Sequence, residues 1–339
     1  MNSGDPGAHG LAGVGHFWQL LSQQLLLPLR LQQAGVLGMN ARNRLYIGRY
    51  NPRKLYPLVD NKLKTKLLAE QAGIAVPELI GTIQSQHEVE ALGQQLSDIP
   101  AFVIKPAKGS GGKGIVVVQS REGDYWLRAN GSPVTLDELK RHTSNILAGL
   151  YSLGGTPDIA ILERCIEFDE SLAHFSYEGV PDVRVIVCRG YPVMAMTRLA
   201  TRASDGKANL HQGAVGVGLS LSNGQALHGV QDGIRLTRHP DTEVTLSELV
   251  IPQWQPLLVL AARCYEMTGL GYLGADIVID RQHGPLLLEL NARPGLAIQL
   301  ANGAGLLPRL RVIDRLSPAD LRRSAEVRVM LSQQWFAGG

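Results

Sequence analysis

Cysteine is scarce in this 339-residue chain. Cys165, Cys188 and Cys264 are odd in number, widely spaced and set in apolar runs, which argues against a disulfide framework or a zinc cluster and for buried thiols in a reducing cytoplasm. Aromatics make up 5% of the residues, and only Tyr46, Tyr50 and Tyr56 interleave with basic residues, so a stacking platform for single-stranded nucleic acid has little support and no specific nucleic acid is expected. Neither sign of charge dominates: 33 Lys+Arg stand against 30 Asp+Glu, net +3. A long apolar run is missing too. The stretch Phe17–Leu31 is too short for a membrane span, is broken by Gln19, Gln23, Gln24 and Pro28, and has no basic start or cleavage site. It reads as an amphipathic helix that packs on the body, with docking to a partner or membrane surface as the alternative. A chain 45% hydrophobic is long enough for two or more cored subdomains.

What is present is concentrated in a few places. Tyr272–Ile279 and Pro285–Leu290 are short apolar runs separated by His283-Gly284, and they read as a buried hairpin. The pattern places Asp276, Glu289 and Asn291 at the tips of these runs, and Arg293, Pro294 and Gly295 follow. Such hard oxygen ligands suit Mg²⁺ or Mn²⁺ working with substrate phosphates; the plainer reading is that the acids blunt sheet edges. Upstream, Ala101–Lys105 and Ile115–Gln119 read as strands joined by the glycine-rich stretch Lys108–Gly114. Gly109, Gly111 and Gly114 satisfy G-x-G-x-x-G in form, but β-branched residues follow where a dinucleotide fingerprint needs a helix. Walker A fails as well, because Ile115 stands where that motif needs Lys. A glycine hairpin that lets backbone N–H groups approach phosphate remains, with Lys105 and either Lys108 or Lys113 adding charge. Between these, the strand Ile159–Cys165 ends in Glu163, Arg164, Cys165 and Ile166, whose backbone suits an adenine edge.

Punctuation divides the chain into a disordered start at 1–15, a helical, basic segment at 16–59, a small subdomain with the glycine lid at 60–158, a large subdomain with the metal site at 159–315, and a C-terminal helix or tail at 316–339. Helices are expected at 61–72, 88–96, 136–150 and 255–268, a hairpin turn at Asn130-Gly131, and strands at Val183–Cys188 and Tyr191–Leu199. Arg42, Arg44, Arg49, Arg53, Lys54, Lys62, Lys64 and Lys66 face the single acid Asp60 over one short stretch, a basic patch for nucleotide phosphates, an acidic acceptor or, third, nucleic acid, or simply a solvated face.

In order and spacing, Asn61-Lys62, Val103–Pro106, the Gly109–Gly114 loop, Leu162–Ile166 and Asp276 with Glu289–Gly295 resemble the ATP-grasp superfamily. Asp182–Arg184, Tyr191–Arg198 and Asn209–Gly213 look like its RimK-like α-L-glutamate ligase branch. The resemblance implies an α/β (α+β) fold of two subdomains clasping ATP, behind a shortened N-terminal segment. It implies a cytoplasmic ligase that joins a carboxylate to an amine through an acyl phosphate, adding glutamate or a related amino acid to a peptide, protein or small acceptor. Lys62 and Lys105 would hold the α and β phosphates, and Gly109, Ser110, Gly111, Gly112 and Gly114 would cover the β and γ phosphates. Glu163, Arg164 and Ile166 would frame adenine, and Glu170 or Asp182 would take the ribose. Asp276, Glu289 and Asn291 would bind two Mg²⁺, with Mn²⁺ as a substitute, and Arg293 would steady the acyl phosphate. Arg198 and Asn209, with Arg184, Arg202 and His211, would meet an acidic acceptor. A homo-oligomer is expected. An ATP-dependent phosphotransferase and a non-catalytic nucleotide-binding scaffold are the alternative functions.

Overall fold

The computed structural model describes residues 29–337 apart from positions 110 and 129. The disordered start and most of the expected 17–31 helix therefore lie outside the described residues; residues 29–33 are helical. Short helical turns occupy Met39–Tyr50 and Arg53–Leu58. Helix α1, Lys62–Gln71, then starts where Asn61 turns its side chain back to accept the Lys64 N–H at 3.0 Å.

The first sheet contains β1 (Leu79–Ile83), β2 (Phe102–Pro106), β3 (Val116–Glu122), β4 (Tyr125–Arg128), β5 (Pro133–Thr135) and β6 (Ala160–Arg164) in the order β1-β6-β2-β3-β4-β5. Every pairing in it is antiparallel. Helix α2, Leu136–Leu147, opens with a capping box between Thr135 and Glu138. It closes one face of the sheet, where Leu139 and Ile146 join Ile83, Phe102, Ile104, Val118 and Trp126 in a small core. Period-two alternation then sends Lys105 and Glu163 to the opposite face.

The second sheet is also wholly antiparallel. It contains β7 (Asp182–Cys188), β8 (Tyr191–Leu199), β9 (Val215–Leu219), β10 (Ala226–Gln231), β11 (Ile234–Leu236), β12 (Tyr272–Asp280) and β13 (Gly284–Asn291), ordered β11-β10-β9-β8-β7-β12-β13. Helix α3, Trp254–Thr268, packs on β7, β8, β12 and β13, and α4, Ile298–Asn302, packs on β8 to β10. The contact with α4 needs glycine, because a Cβ on Gly218 would stand 2.2 Å from the Ala301 carbonyl oxygen. Helices α5 (Leu307–Asp314) and α6 (Ala325–Trp335) complete the larger core.

Several expectations change. Strand β6 lies between β1 and β2 in the first sheet, so the crossing between sheets falls after it and not at residue 159. There the Glu167 N–H donates to Asp280 Oδ2 at 3.0 Å and the Asp169 N–H to the Ile279 oxygen at 3.2 Å. The helix expected at 88–96 is two short ones, Gln86–Glu90 and Leu92–Gln95. Strands β1, β9, β10 and β11 had no clear sequence signal: Gly81, Gly216, Gly218 and Gly229 interrupt the first three, and β11 is a three-residue edge. The basic stretch is no uniform surface patch, since Lys66 is buried. Of its tyrosines, Tyr46 and Tyr50 both donate to Asp314.

Buried Asn51 ties the early chain to the second sheet. Its Nδ2 donates to the Tyr272 oxygen at 2.6 Å and the Ala292 oxygen at 2.9 Å, and its Oδ1 accepts the Tyr272 N–H at 2.9 Å. Asn51→Ala strands buried backbone groups of β12 and of the loop after β13, and should lower the unfolding free energy by about 2–3 kcal/mol in urea titrations. A loss below about 0.5 kcal/mol would show that this tether is dispensable.

Candidate active site

On the first sheet the register of β2 and β6 places Glu163 opposite Val103 and Lys105 opposite Ile161, so the acid and the lysine are diagonal neighbours on one face. Lys105 Nζ lies 2.6 Å from Glu163 Oε2. Lys66 approaches from α1: its Nζ is 2.9 Å from Glu163 Oε1, an ion-pair contact outside hydrogen-bonding angles, and it donates to the Pro77 carbonyl. Burial pulls the Lys66 ammonium below the ordinary lysine range; Glu163 opposes that fall and Lys105 adds to it. Lys62, one turn earlier on the same helix face, donates to the Gly109 oxygen at 2.6 Å and stands 3.4 Å from Glu289 Oε2. These contacts bring the start of α1, the glycine loop and the second sheet together.

The glycine loop is held at both ends. Asp158 accepts the Lys108 N–H at 2.9 Å and the Ser152 hydroxyl at 2.6 Å, and His142 Nε2 meets the Gly114 oxygen at 2.9 Å. Gly114 adopts φ +74°, and a Cβ there would fall 2.5 Å from the Tyr151 ring, so glycine is required twice over. Beyond these anchors the loop tip lies over the second lobe, where a Cβ built on Gly111 would be 3.9 Å from Asn209 Nδ2 and one on Gly112 3.8 Å from Lys207 Cδ. Ser110 lies outside the described residues. Lys108 turns its ammonium to the Pro157 oxygen at 2.9 Å, away from the loop.

On the second sheet, cross-strand register assembles a row of charge. Asp276 on β12 is opposite Arg184 on β7 and Glu289 on β13, and Asp182 on β7 is opposite Arg198 on β8. A bulge between Asp276 and Ile277 shifts the β13 register, so Glu289 and Asn291 share the face of Asp276. Arg184 grips Asp276 with two bonds, Nε to Oδ1 at 2.7 Å and Nη2 to Oδ2 at 2.6 Å. Arg198 adds Nη2 to Asp276 Oδ2 at 2.9 Å and clasps both oxygens of Asp182. Burial alone would raise Asp276, but the two guanidiniums hold its carboxyl well below the usual range. Asp182 goes the other way: burial pushes it up to about 6, the like charge of Asp276 adds to this and Arg198 opposes it.

A divalent cation fits Glu289 and Asn291 best. Glu289 is half-exposed, and Asn291 Nδ2 lies 3.5 Å from its Oε1, so a carboxylate and a carboxamide converge at the open end of the hairpin. Asp276 was expected as an equal ligand, but it is 1% exposed and both its oxygens are engaged by arginine, which leaves at most a spare lone pair. Among the described residues there is no cluster of three or more Asp, Glu, His or Cys that could hold a metal. Two carboxylates and an amide, completed by substrate phosphates and water, still match how Mg²⁺ is usually held.

Other expected residues stand elsewhere. The Glu163 carboxylate is held by Lys66 and Lys105, which engages its side chain and not the strand-end backbone expected to frame adenine. Arg164 turns outward to Glu78 at 2.6 Å, which leaves the backbone around Ile166 for that task. For the ribose, Asp182 is occupied by Arg198, whereas exposed Glu170 pairs with Arg281 at 2.7 Å. Arg293 is exposed and lies over the Tyr56 ring at 4.9 Å, away from the charge row. Arg198 sits inside that row and presents no free fork to an acceptor. Asn209 caps a short turn, accepting the His211 N–H at 3.0 Å, and Arg202 covers the Tyr177 ring at 5.1 Å. Sequence reading missed Asp158 and His142 as site residues, and it named Lys66 only as one member of the basic patch.

Comparison with known proteins identifies the family of this chain. The profile of the sugar-transfer associated ATP-grasp family matches residues 41–315. A probable α-L-glutamate ligase of Maridesulfovibrio salexigens is 26% identical over 236 residues, 70% of this chain and 56% of that protein. One from Thioalkalivibrio sulfidiphilus is 25% identical over 255 residues, 74% of this chain and 61% of that one. The chain thus spans little more than half the length of these curated relatives. Among solved structures, D-cycloserine synthetase DcsG is 16% identical with a TM-score of 0.46, covering 79% of this chain and 74% of that one. D-alanyl-alanine synthetase A of Vibrio cholerae is 10% identical with a TM-score of 0.44, covering 82% and 66%. With that profile matched over most of its length, the chain belongs to the sugar-transfer associated ATP-grasp family.

Proposed function

We propose that this protein is an ATP-dependent carboxylate–amine ligase. The observation that carries the reading is the position of Lys62, whose ammonium touches both the glycine loop and Glu289 and so joins a phosphate-binding loop to a hard-oxygen pair in one cleft. In this reading Lys62 and Lys105 hold the nucleotide phosphates, and the Gly109–Gly114 loop closes over the β and γ phosphates. Glu289 and Asn291, backed by Asp276, would hold Mg²⁺, with two ions and Mn²⁺ as the finer possibilities. When bound, the ion neutralises charge on the transferring phosphoryl oxygens. The γ-phosphoryl group passes to a carboxylate oxygen and ADP leaves. An amine then attacks the acyl carbon, phosphate departs with the former carboxylate oxygen, and the amine loses a proton.

The roles of the arginines differ from those expected. Arg184 and Arg198 orient Asp276 at the cleft floor, where Asp276 and Asp182 balance their two positive charges. Binding of the acceptor falls to the rim. There Arg42 donates to the Pro294 oxygen at 2.8 Å, beside exposed Arg293, while Lys207 and Asn209 face the lid tip. A rim of this charge suits an acidic amino acid or acidic peptide, consistent with the glutamate ligase name carried by the relatives. Dependence on ATP suits a cytoplasmic setting. Among the described residues no helix is long and apolar enough to cross a membrane.

Glu289→Ala should cut Mg²⁺-dependent ADP release by about a hundredfold or more while circular dichroism and thermal unfolding stay close to wild type. Full activity in the folded variant would remove Glu289 from the metal site. Release of ADP with a stable phosphorylated product and no amine requirement would favour phosphotransfer, and no turnover with any carboxylate a binding scaffold.

Glutamate or Glu-rich peptides should stimulate ADP release, with the stimulation fading between roughly 50 and 500 mM salt as surface charge is screened. Arg42→Ala should weaken it by raising the KM for the acidic substrate. Stimulation confined to neutral or basic substrates and indifferent to salt would reject the acidic acceptor and leave the nucleotide site standing.

A further inference from the structure

Glu163 carries one negative charge between two buried ammonium groups. Lys66, Lys105 and Glu163 are 5%, 7% and 2% exposed, and the cluster holds one positive charge more than negative. Isolated buried charge is costly, so an ion pair built only for stability would need one lysine, with an apolar side chain in place of the other. The surrounding charges do not cancel the excess. Lys62, one turn before Lys66 on α1, is engaged with Gly109 and Glu289. Glu70, one turn later, is exposed, and Glu78, next to Pro77, is committed to Arg164.

We propose that Lys66 is a positioning residue for nucleotide binding: by carrying part of the Glu163 charge it leaves Lys105 with uncompensated positive charge for the phosphates. The inference rests on the nucleotide reading above. Without Lys66, Glu163 falls wholly to Lys105 across the 2.6 Å contact, and the cluster becomes neutral where the anion must bind. With Lys66 in place, its contact to Oε1 and its bond to the Pro77 carbonyl hold the acid while Lys105 turns toward phosphate.

Charge arithmetic supplies the test. Lys66→Met removes the excess charge, and adding Glu163→Gln restores it with Lys105 alone. Titration of Mg²⁺–ADP into folded protein by calorimetry should show a dissociation constant raised on the order of tenfold in Lys66→Met. In the double variant it should return to within about threefold of wild type. Lys66→Gln replaces Lys66→Met if thermal unfolding shows that the latter does not fold. A purely structural role predicts no rescue. Wild-type affinity in the single variant, or a double variant no tighter than the single, overturns the inference and leaves the nucleotide reading intact. Failure of wild-type protein to bind Mg²⁺–ADP overturns the nucleotide reading itself, and the inference with it.

Discussion

A charge withdrawn from water must find an opposite charge, and that requirement organises the cleft. Beside the first sheet Lys66 of α1 and Lys105 share Glu163; on the second Arg184 and Arg198 share Asp276, and Arg198 also holds Asp182. Most of these partners meet because antiparallel register sets them opposite or diagonal on one face. A slip of one residue would turn Asp276 or Glu163 into the apolar side of its sheet. The two hydrophobic cores therefore do more than stabilise each lobe, since they lock the registers that pair the charges.

Helix α1 connects the two arrangements. Lys62 and Lys66 are four residues apart and share a face, yet the first reaches Glu289 of the second sheet and the second reaches Glu163 of the first. The glycine loop depends on the same helix, because Lys62 holds its start through the Gly109 oxygen. Asp158 and His142 fix the loop ends and leave the positive-φ glycines at its tip without bulky side chains to pack. Firm anchors around a weakly packed tip are what a covering loop needs in order to open and close on a ligand.

Asp276 shows how environment reassigns a side chain. As a carboxylate on a hairpin it offers ligand oxygens; with a guanidinium on each side it becomes the charge that orients Arg184 and Arg198, and the outward end of the hairpin falls to Glu289 and Asn291. Glu163 is placed in the same manner: strand alternation turns its carboxylate toward the lysines.

The amino-acid order alone determined the apolar hairpin 272–291, the strands on either side of the glycine loop and helix α1, and it singled out Lys62 and Glu289, which stand 3.4 Å apart. Those features are local: periodicity, caps and turn glycines act over a few residues and can be read directly. The interrupted strands β1 and β9 to β11 were not legible, because neighbouring strands hold their backbones in place of their own side chains. Only the tertiary structure decided that Lys66 is buried, that Glu163 is shared, and that Asp276 faces Arg184 from 92 residues away in the chain. Sequence periodicity reports which face a side chain takes but not which distant strand lies beside it, and for a buried charge that neighbour decides what the group can do.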